Sequence, residues 1–100
     1  MKNLRTKLKK CESRIVELEL YPKMYFREDE QPIENEPPEE QMIFKYAFIV
    51  NLRDEAIGAR IKGYNRFTIY KKTLKILENN KSLIEEFLQE YTNKHKLEII

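Results

Sequence analysis

Apolar residues recur every three or four positions at the N-terminal end of the chain. The steps of four, three, four and three put five of them on one face of an α-helix: Leu4, Leu8, Cys11, Ile15 and Leu18. Pro22 limits this helix, because its ring and missing N–H stop a helix from running on. The pattern predicts an amphipathic helix whose apolar stripe is a candidate interface for a partner helix.

The second half of this segment allows another interpretation. Val16, Leu18 and Leu20 alternate with Glu17 and Glu19, which is the pattern of a half-buried strand. A helix is predicted to about residue 13. Residues 14–21 stay open between helix and strand, with helix preferred.

From residue 42 the apolar pattern changes to a period of two. One face of the predicted strand carries Phe44, Tyr46, Phe48, Val50 and Leu52. With residues 53–56 as a turn, every cross-strand pair on that face is apolar: Leu52 with Ile57, Val50 with Ala59, and Phe48 with Ile61. This agreement predicts an antiparallel pair of strands.

A third strand follows if residues 64–66 form a hairpin loop with Asn65 in its left-handed position. Ile61 then pairs with Ile69, and Gly63 with Phe67. The predicted core face holds Phe44, Phe48, Val50, Ile57, Ile61, Phe67 and Ile69. Basic and aromatic side chains gather on the opposite face or its rim: Lys45, Arg60, Lys62, Tyr64, Arg66, Tyr70 and Lys72.

The C-terminal part again has helical periodicity. Ser82 and Glu85 form a capping-box arrangement, and Asn79 and Asn80 indicate a break before it. The apolar stripe of this helix comprises Leu83, Ile84, Phe87, Leu88 and Tyr91. The predicted fold is therefore a single α+β domain over residues 1–100: an N-terminal helix, a loop, a three-stranded antiparallel meander and a C-terminal helix.

Charge is strongly segregated along the chain. Residues 28–41 carry seven acidic residues and no basic one, between basic segments at 1–27 and 42–75. This acidic, proline-containing segment has too few apolar side chains to bury, so it is expected to be an exposed loop or linker. It could instead cover the basic sheet face in competition with nucleic acid, or dock on a basic partner.

Composition excludes several function classes. With one cysteine and one histidine far apart, no metal site is expected, and with no Gly-rich phosphate loop no cofactor is expected. No catalytic set stands out, so the chain is predicted not to be an enzyme. Cys11 is read as a small buried hydrophobe, and His95 as a solvated histidine. The absence of an apolar leader or a membrane-length run predicts a soluble cytoplasmic protein.

Two functions remain as hypotheses. The first is a small accessory or regulatory protein that acts by binding another protein or itself through the N-terminal stripe. The second is a nucleic-acid-binding module that uses the basic and aromatic sheet face, with rings stacking on bases and cations contacting phosphates. Alternatively, that face is simply the solvent-exposed side of an antiparallel sheet and binds nothing, since tyrosine and threonine are also favoured there.

Overall fold

The computed structural model describes residues 1–27, 38–61 and 63–95, and the regular structure in these residues is helical. The helices are α1 (Lys2–Lys9), α2 (Ser13–Ile15), α3 (Glu39–Phe44), α4 (Asp54–Arg60), α5 (Arg66–Asn79) and α6 (Lys81–His95). Wider π-helical turns extend α2 over Val16–Leu20 and α3 over Lys45–Ile49, and a 3₁₀ turn follows at Tyr21–Lys23.

The α+β prediction is wrong, because no strand occurs in these described ranges. In α3 and its extension the buried side chains are Ile43, Phe44, Ala47 and Phe48, which is helical spacing, while Val50 is 49% exposed. Apolar residues lie on both sides of this segment, so helical and alternating patterns fit it equally well. Burial on one helical face decides between them, and tertiary packing overrides the β-propensity of the aromatic and branched residues.

The predicted turns are also wrong. Arg53 is the N-cap of α4 and residues 54–56 begin the helix, where Asp54 and Glu55 occupy the first turn and interact favourably with the positive end of the helix dipole. Asn65 is the N-cap of α5, and its Oδ1 accepts a hydrogen bond of 2.8 Å from the Thr68 amide. Phe67, assigned to the sheet core, is 62% exposed.

Helices are present at both ends of the chain, but the N-terminal helix is shorter than predicted, because α1 ends at Lys9 and Glu12 is extended where a helix to about residue 13 was expected. The open segment 14–21 is helical, and the C-terminal helix begins after the break at Asn79 and Asn80. Of the acidic segment 28–41, residues 28–37 lie outside the described residues. Its last residues are not a loop, because α3 begins at Glu39.

Helix α5 is the centre of the molecule and contacts α1, α3, α4 and α6. Its buried face presents Ile69, Thr73, Ile76 and Leu77. Around it, an aromatic cluster joins the 3₁₀ turn to α3: Tyr21, Phe26, Phe44 and Phe48 have ring centroids 4.9 to 6.0 Å apart. Ring pairs at these distances add to the stabilisation that comes from area burial.

A buried asparagine ties the first part of the chain to the end of α5. The amide nitrogen of Asn80 donates to the carbonyls of Tyr25 (2.8 Å) and Ile76 (2.9 Å), and its oxygen accepts from the Tyr25 amide at 2.7 Å. Asn80 is 5% exposed, so these bonds satisfy a polar group that is costly to bury alone.

Candidate nucleic-acid interface

Helices α4 and α5 follow each other in the chain and pack together; we call them, with the connection of which Ile61 and residues 63–65 are described, the helix–turn–helix unit. Gly58, in α4, lies directly under this turn: an added Cβ would be 1.9 Å from the carbonyl oxygen of Tyr64. Gly63 has a φ of +66°, a left-handed conformation that glycine adopts without steric cost. The two glycines therefore allow a close and sharply defined connection between the helices.

Three isoleucines hold the unit together from inside. Ile57 and Ile69 are fully buried, and Ile61 in the turn is 4% exposed. Asn65 closes the turn by capping α5, where it accepts from both the amide and the hydroxyl of Thr68. The orientation of the first turn of α5 is thus set by core packing and by a cap.

Helix α1 braces the unit through Arg5. One terminal nitrogen of its guanidinium contacts both carboxylate oxygens of Asp54, at 2.6 and 2.7 Å, and its Nε donates to the Thr73 hydroxyl at 3.3 Å. Its Cζ lies 5.0 Å from the ring centroid of Tyr70. Both charged side chains of this ion pair are only 18% exposed. Through Asp54 in α4, and through Thr73 and Tyr70 in α5, Arg5 joins α1 to both helices of the unit.

The side of α5 that faces away from the core is basic. Phe67, Lys71 and Lys75 recur every four residues on this side of α5, and Arg66, the first residue of the helix, joins them through its contact with the Phe67 ring. We define these four exposed residues as the outer face of α5. The guanidinium of Arg66 lies 4.9 Å from the ring centroid of Phe67. Within the described part of the chain, no carboxylate makes a salt bridge to Arg66 or Lys71, whereas Lys75 lies 3.8 Å from Glu78.

The residues predicted to share a sheet face are dispersed in the fold. Tyr64 and Lys72 do come together: the Lys72 ammonium lies 5.0 Å from the Tyr64 ring centroid. Glu39 joins them, because it accepts from the Tyr64 hydroxyl at 2.7 Å and from Lys72 at 3.2 Å. This cluster packs α5 and the turn against α3, so its cation and its ring are already engaged.

The remaining members of that predicted face are separate. Tyr70 lies against Arg5, on the side of α5 that faces α1. Lys45 is exposed in the π-helical turn after α3, and Arg60 is exposed at the end of α4. Among the described members of that predicted face, Arg66 alone belongs to the outer face of α5. Lys62 lies outside the described residues.

The predicted helix interface is used mostly by the chain's own core. Leu8 and Cys11 are buried, Leu4 and Ile15 pack partly against the core, and only Leu18 is strongly exposed, at 63%. Burial raises the pKa of the Cys11 thiol to about 11, so the thiol is neutral near pH 7.

Lys9, the last residue of α1, faces the π-helical extension of α3. Its ammonium donates to the Leu52 carbonyl at 3.3 Å and lies 5.5 Å from the Phe48 ring centroid. Burial and the neighbouring Arg5 lower the pKa of Lys9 from its usual value, and Asp54 partly opposes that shift.

Sequence reasoning missed Phe67, Lys71 and Lys75 as surface residues. Their signal is helical: 67, 71 and 75 recur every four residues, opposite a buried stripe at 69, 73, 76 and 77. The strand assignment concealed it, because a period of two places Phe67 with the isoleucines.

Within the residues that the structure describes, no group of three His, Cys, Asp or Glu side chains could hold a metal ion. None of the described helices combines the length and the apolar character that crossing a membrane requires. Comparison of the chain with protein-family models, with curated proteins and with solved structures finds no match.

Proposed function

We propose that this protein binds double-stranded DNA through the α4–α5 unit, with the outer face of α5 in the major groove. In DNA-binding helix–turn–helix units the second helix enters that groove and its N-terminal residues reach the base edges. The observation that carries the proposal is the set of exposed basic residues, Arg66 and Lys71, in the first half of α5, which follows a tightly fixed turn. The turn of five residues is slightly longer than the usual three or four.

The chemistry of this face suits a duplex. The guanidinium of Arg66 can contact a phosphate or the acceptors of a guanine, and Lys71 can contact a phosphate. The ring of Phe67, at the second position of α5, offers an apolar contact for a thymine methyl group. No acidic residue lies in the first turn of α5, so its positive end adds to the attraction.

A duplex suits the fold better than a single strand does. Binding of single strands relies on rings that stack on successive bases. Here the Lys72 ammonium lies over the Tyr64 ring and the Arg5 guanidinium over the Tyr70 ring, so neither ring is open for stacking on that side. Phe67 remains as an exposed ring, and one ring does not make a stacking platform.

The test is fluorescence-anisotropy binding of labelled duplex and single-stranded oligonucleotides across a salt series. We expect the duplex to bind with an affinity that falls steeply with salt, because phosphate contacts release counterions. The double variant Arg66→Ala/Lys71→Ala should weaken duplex binding by about tenfold or more. The matched control Lys81→Ala/Lys94→Ala removes the same charge from α6 and should change affinity by about twofold or less.

Three results would overturn this proposal. They are no duplex binding at low salt, tighter binding of the single strand, and equal losses in the two double variants. Circular dichroism of each variant separates a loss of contact from a loss of fold.

Protein–protein interaction through the N-terminal segment stays a prediction. The exposure of Leu18 favours it, because this residue of the apolar stripe is not buried in the chain's own core. We propose that the protein acts by binding a partner and that it does not catalyse a reaction. A DNA-binding chain with one unpaired cysteine suits a reducing compartment, so we also propose the cytoplasm as its location.

A further inference from the structure

A small cavity lies between the N-terminal segment and α6, and none of its lining residues belongs to the helix–turn–helix unit. Its volume is about 280 Å³. The turns after α2 supply Leu18 and Leu20, and α6 supplies Leu83 and Phe87. Leu20 is fully buried and Phe87 is 7% exposed, whereas Leu18 is 63% exposed at the mouth. The site is therefore an apolar floor with an open apolar edge.

The rim of this cavity is acidic. Glu19, Glu86 and Glu90 are among its lining residues, together with one lysine, Lys23. Glu86 and Glu90 are both exposed and lie four residues apart on α6, so they share one side of that helix. The carboxylates leave the apolar floor accessible while giving its surroundings a negative charge.

The chain itself already places a cation on this rim. The ammonium of Lys94 lies 2.9 Å from Oε1 of Glu19, with side chains that are 65% and 43% exposed. This exposed ion pair partly compensates the charge of Glu19, so Glu86 and Glu90 carry most of the negative charge that the rim offers a ligand.

The size of the cavity limits what it can hold. Small-molecule sites usually occupy roughly 300–1,000 Å³, so this cavity is at or below the small end of that range. It has room for one or two apolar side chains, which is the way a docked peptide anchors in a pocket at the centre of an interface.

We propose that this cavity is a docking site for a cationic amphipathic helix of another protein, with a leucine or phenylalanine in the cavity and lysines or arginines on the glutamates. Such a helix fits the apolar floor and the acidic rim together. A two-fold contact of this cavity with the same cavity of a second copy fits poorly, because it would bring the same glutamates face to face. This site does not suit DNA, because an acidic rim repels phosphates.

The test uses two synthetic helical peptides of 14 residues with the same leucine and phenylalanine face. One has lysines at its polar positions and the other has glutamates. Isothermal titration calorimetry with the full chain should detect the lysine peptide and not the glutamate peptide. The variants Glu86→Gln/Glu90→Gln and Leu18→Ser should each weaken the lysine peptide by about tenfold, the first by lost charge pairing and the second by lost apolar contact.

Controls keep this test separate from the DNA proposal. The variant Glu55→Gln/Glu78→Gln removes the same charge from α4 and α5 and should leave peptide affinity within about twofold. Duplex DNA affinity should not fall in Glu86→Gln/Glu90→Gln, so failure of one site does not imply failure of the other. Binding of both peptides alike, binding of neither, or equal losses in the two charge variants would overturn the docking site. Sedimentation showing a dimer that Leu18→Ser abolishes would also overturn it, in favour of a second copy.

Discussion

Helix α5 carries the same chemistry on two sides with opposite consequences. On its inner side, cations lie over rings and a carboxylate completes each cluster: Arg5 with Tyr70 and Asp54, and Lys72 with Tyr64 and Glu39. On its outer side, Arg66 lies over Phe67 at a similar distance, 4.9 Å, and is exposed. In the described residues no carboxylate bridges to Arg66.

This difference teaches which cation–ring pairs hold the fold and which are available for a ligand. A half-buried pair with a carboxylate ties helices together, and its charge is compensated before any ligand arrives. An exposed pair contributes little to stability, because water and salt screen it. Residue type alone does not distinguish the two; the neighbouring carboxylate and the burial do.

The largest loss of stability should follow from disrupting the turn between α4 and α5, which positions both the inner and the outer side of α5. Gly58→Ala would drive a methyl group into the Tyr64 carbonyl, so the turn must move, and we expect a loss of about 3 kcal/mol in the free energy of unfolding. Gly63→Ala adds a methyl group in open space but keeps a left-handed φ, and should cost about 1–2 kcal/mol. Urea denaturation measures both, and a larger loss at Gly63 would contradict the packing described for α4.

The two arginines allow a direct exchange of roles. Arg5→Met leaves Asp54 without its partner in a half-buried site and should lower the free energy of unfolding by about 1–3 kcal/mol. Arg66→Met should change it by less than about 0.5 kcal/mol. For duplex binding the order reverses, with a loss of about 1–3 kcal/mol for Arg66→Met only. Equal stability losses in the two variants would remove the distinction between inner and outer sides.

The cluster around Glu39 sharpens the comparison. Glu39→Gln keeps the shape but removes the charge opposite Lys72, and we expect about 1 kcal/mol or less of destabilisation, because the Lys72 side chain is 32% exposed. Duplex affinity should stay within about twofold of the unsubstituted protein. A tenfold gain in the anisotropy assay would mean that Glu39 masks Lys72 from DNA, and that Lys72 belongs to the interface.

The last prediction concerns the pH dependence of stability through Cys11, which is buried just after the end of α1. Its pKa of about 11 in the folded protein lies above the usual value of 9.0, so the fold favours the neutral thiol. As pH rises from about 9 to 11, the unfolded chain ionises first and stability is lost. Urea denaturation at pH 8 and at pH 10.5 should show a smaller drop for Cys11→Ala than for the unsubstituted protein. Comparing the two chains cancels the opposite contribution of Lys9. An identical drop would contradict burial of the thiol.

The sequence predicted the two ends of the chain well for a physical reason. Leu83, Ile84, Phe87, Leu88 and Tyr91 follow a helical repeat with charged residues between them, so one pattern fits and the other does not. The acidic residues Asp54 and Glu55 and the N-cap residue Asn65 are also typical of helix starts. They were assigned instead to the turns of the predicted meander, because the same residue types favour turns.

The centre of the chain misled for an equally specific reason. In residues 42–52 nearly every position is apolar or aromatic, so alternation and helical spacing both find matches. Which match is correct depends on α5 covering one side, and that contact joins residues far apart in sequence. The prediction of the candidate site was incomplete for the same reason. Arg66 was correctly identified as an exposed basic residue, whereas Lys72 and Tyr64 were predicted to contact a ligand but instead contact Glu39.

The most direct test of the central claim is an NMR titration of the ¹⁵N-labelled protein with a short DNA duplex. The account predicts that the largest amide shift changes fall on Arg66, Phe67, Lys71 and Lys75, with little change at Glu39, Asp54 and the helix α6. Shift changes concentrated on α1 or α6, or none at low salt, would contradict binding by the outer face of α5.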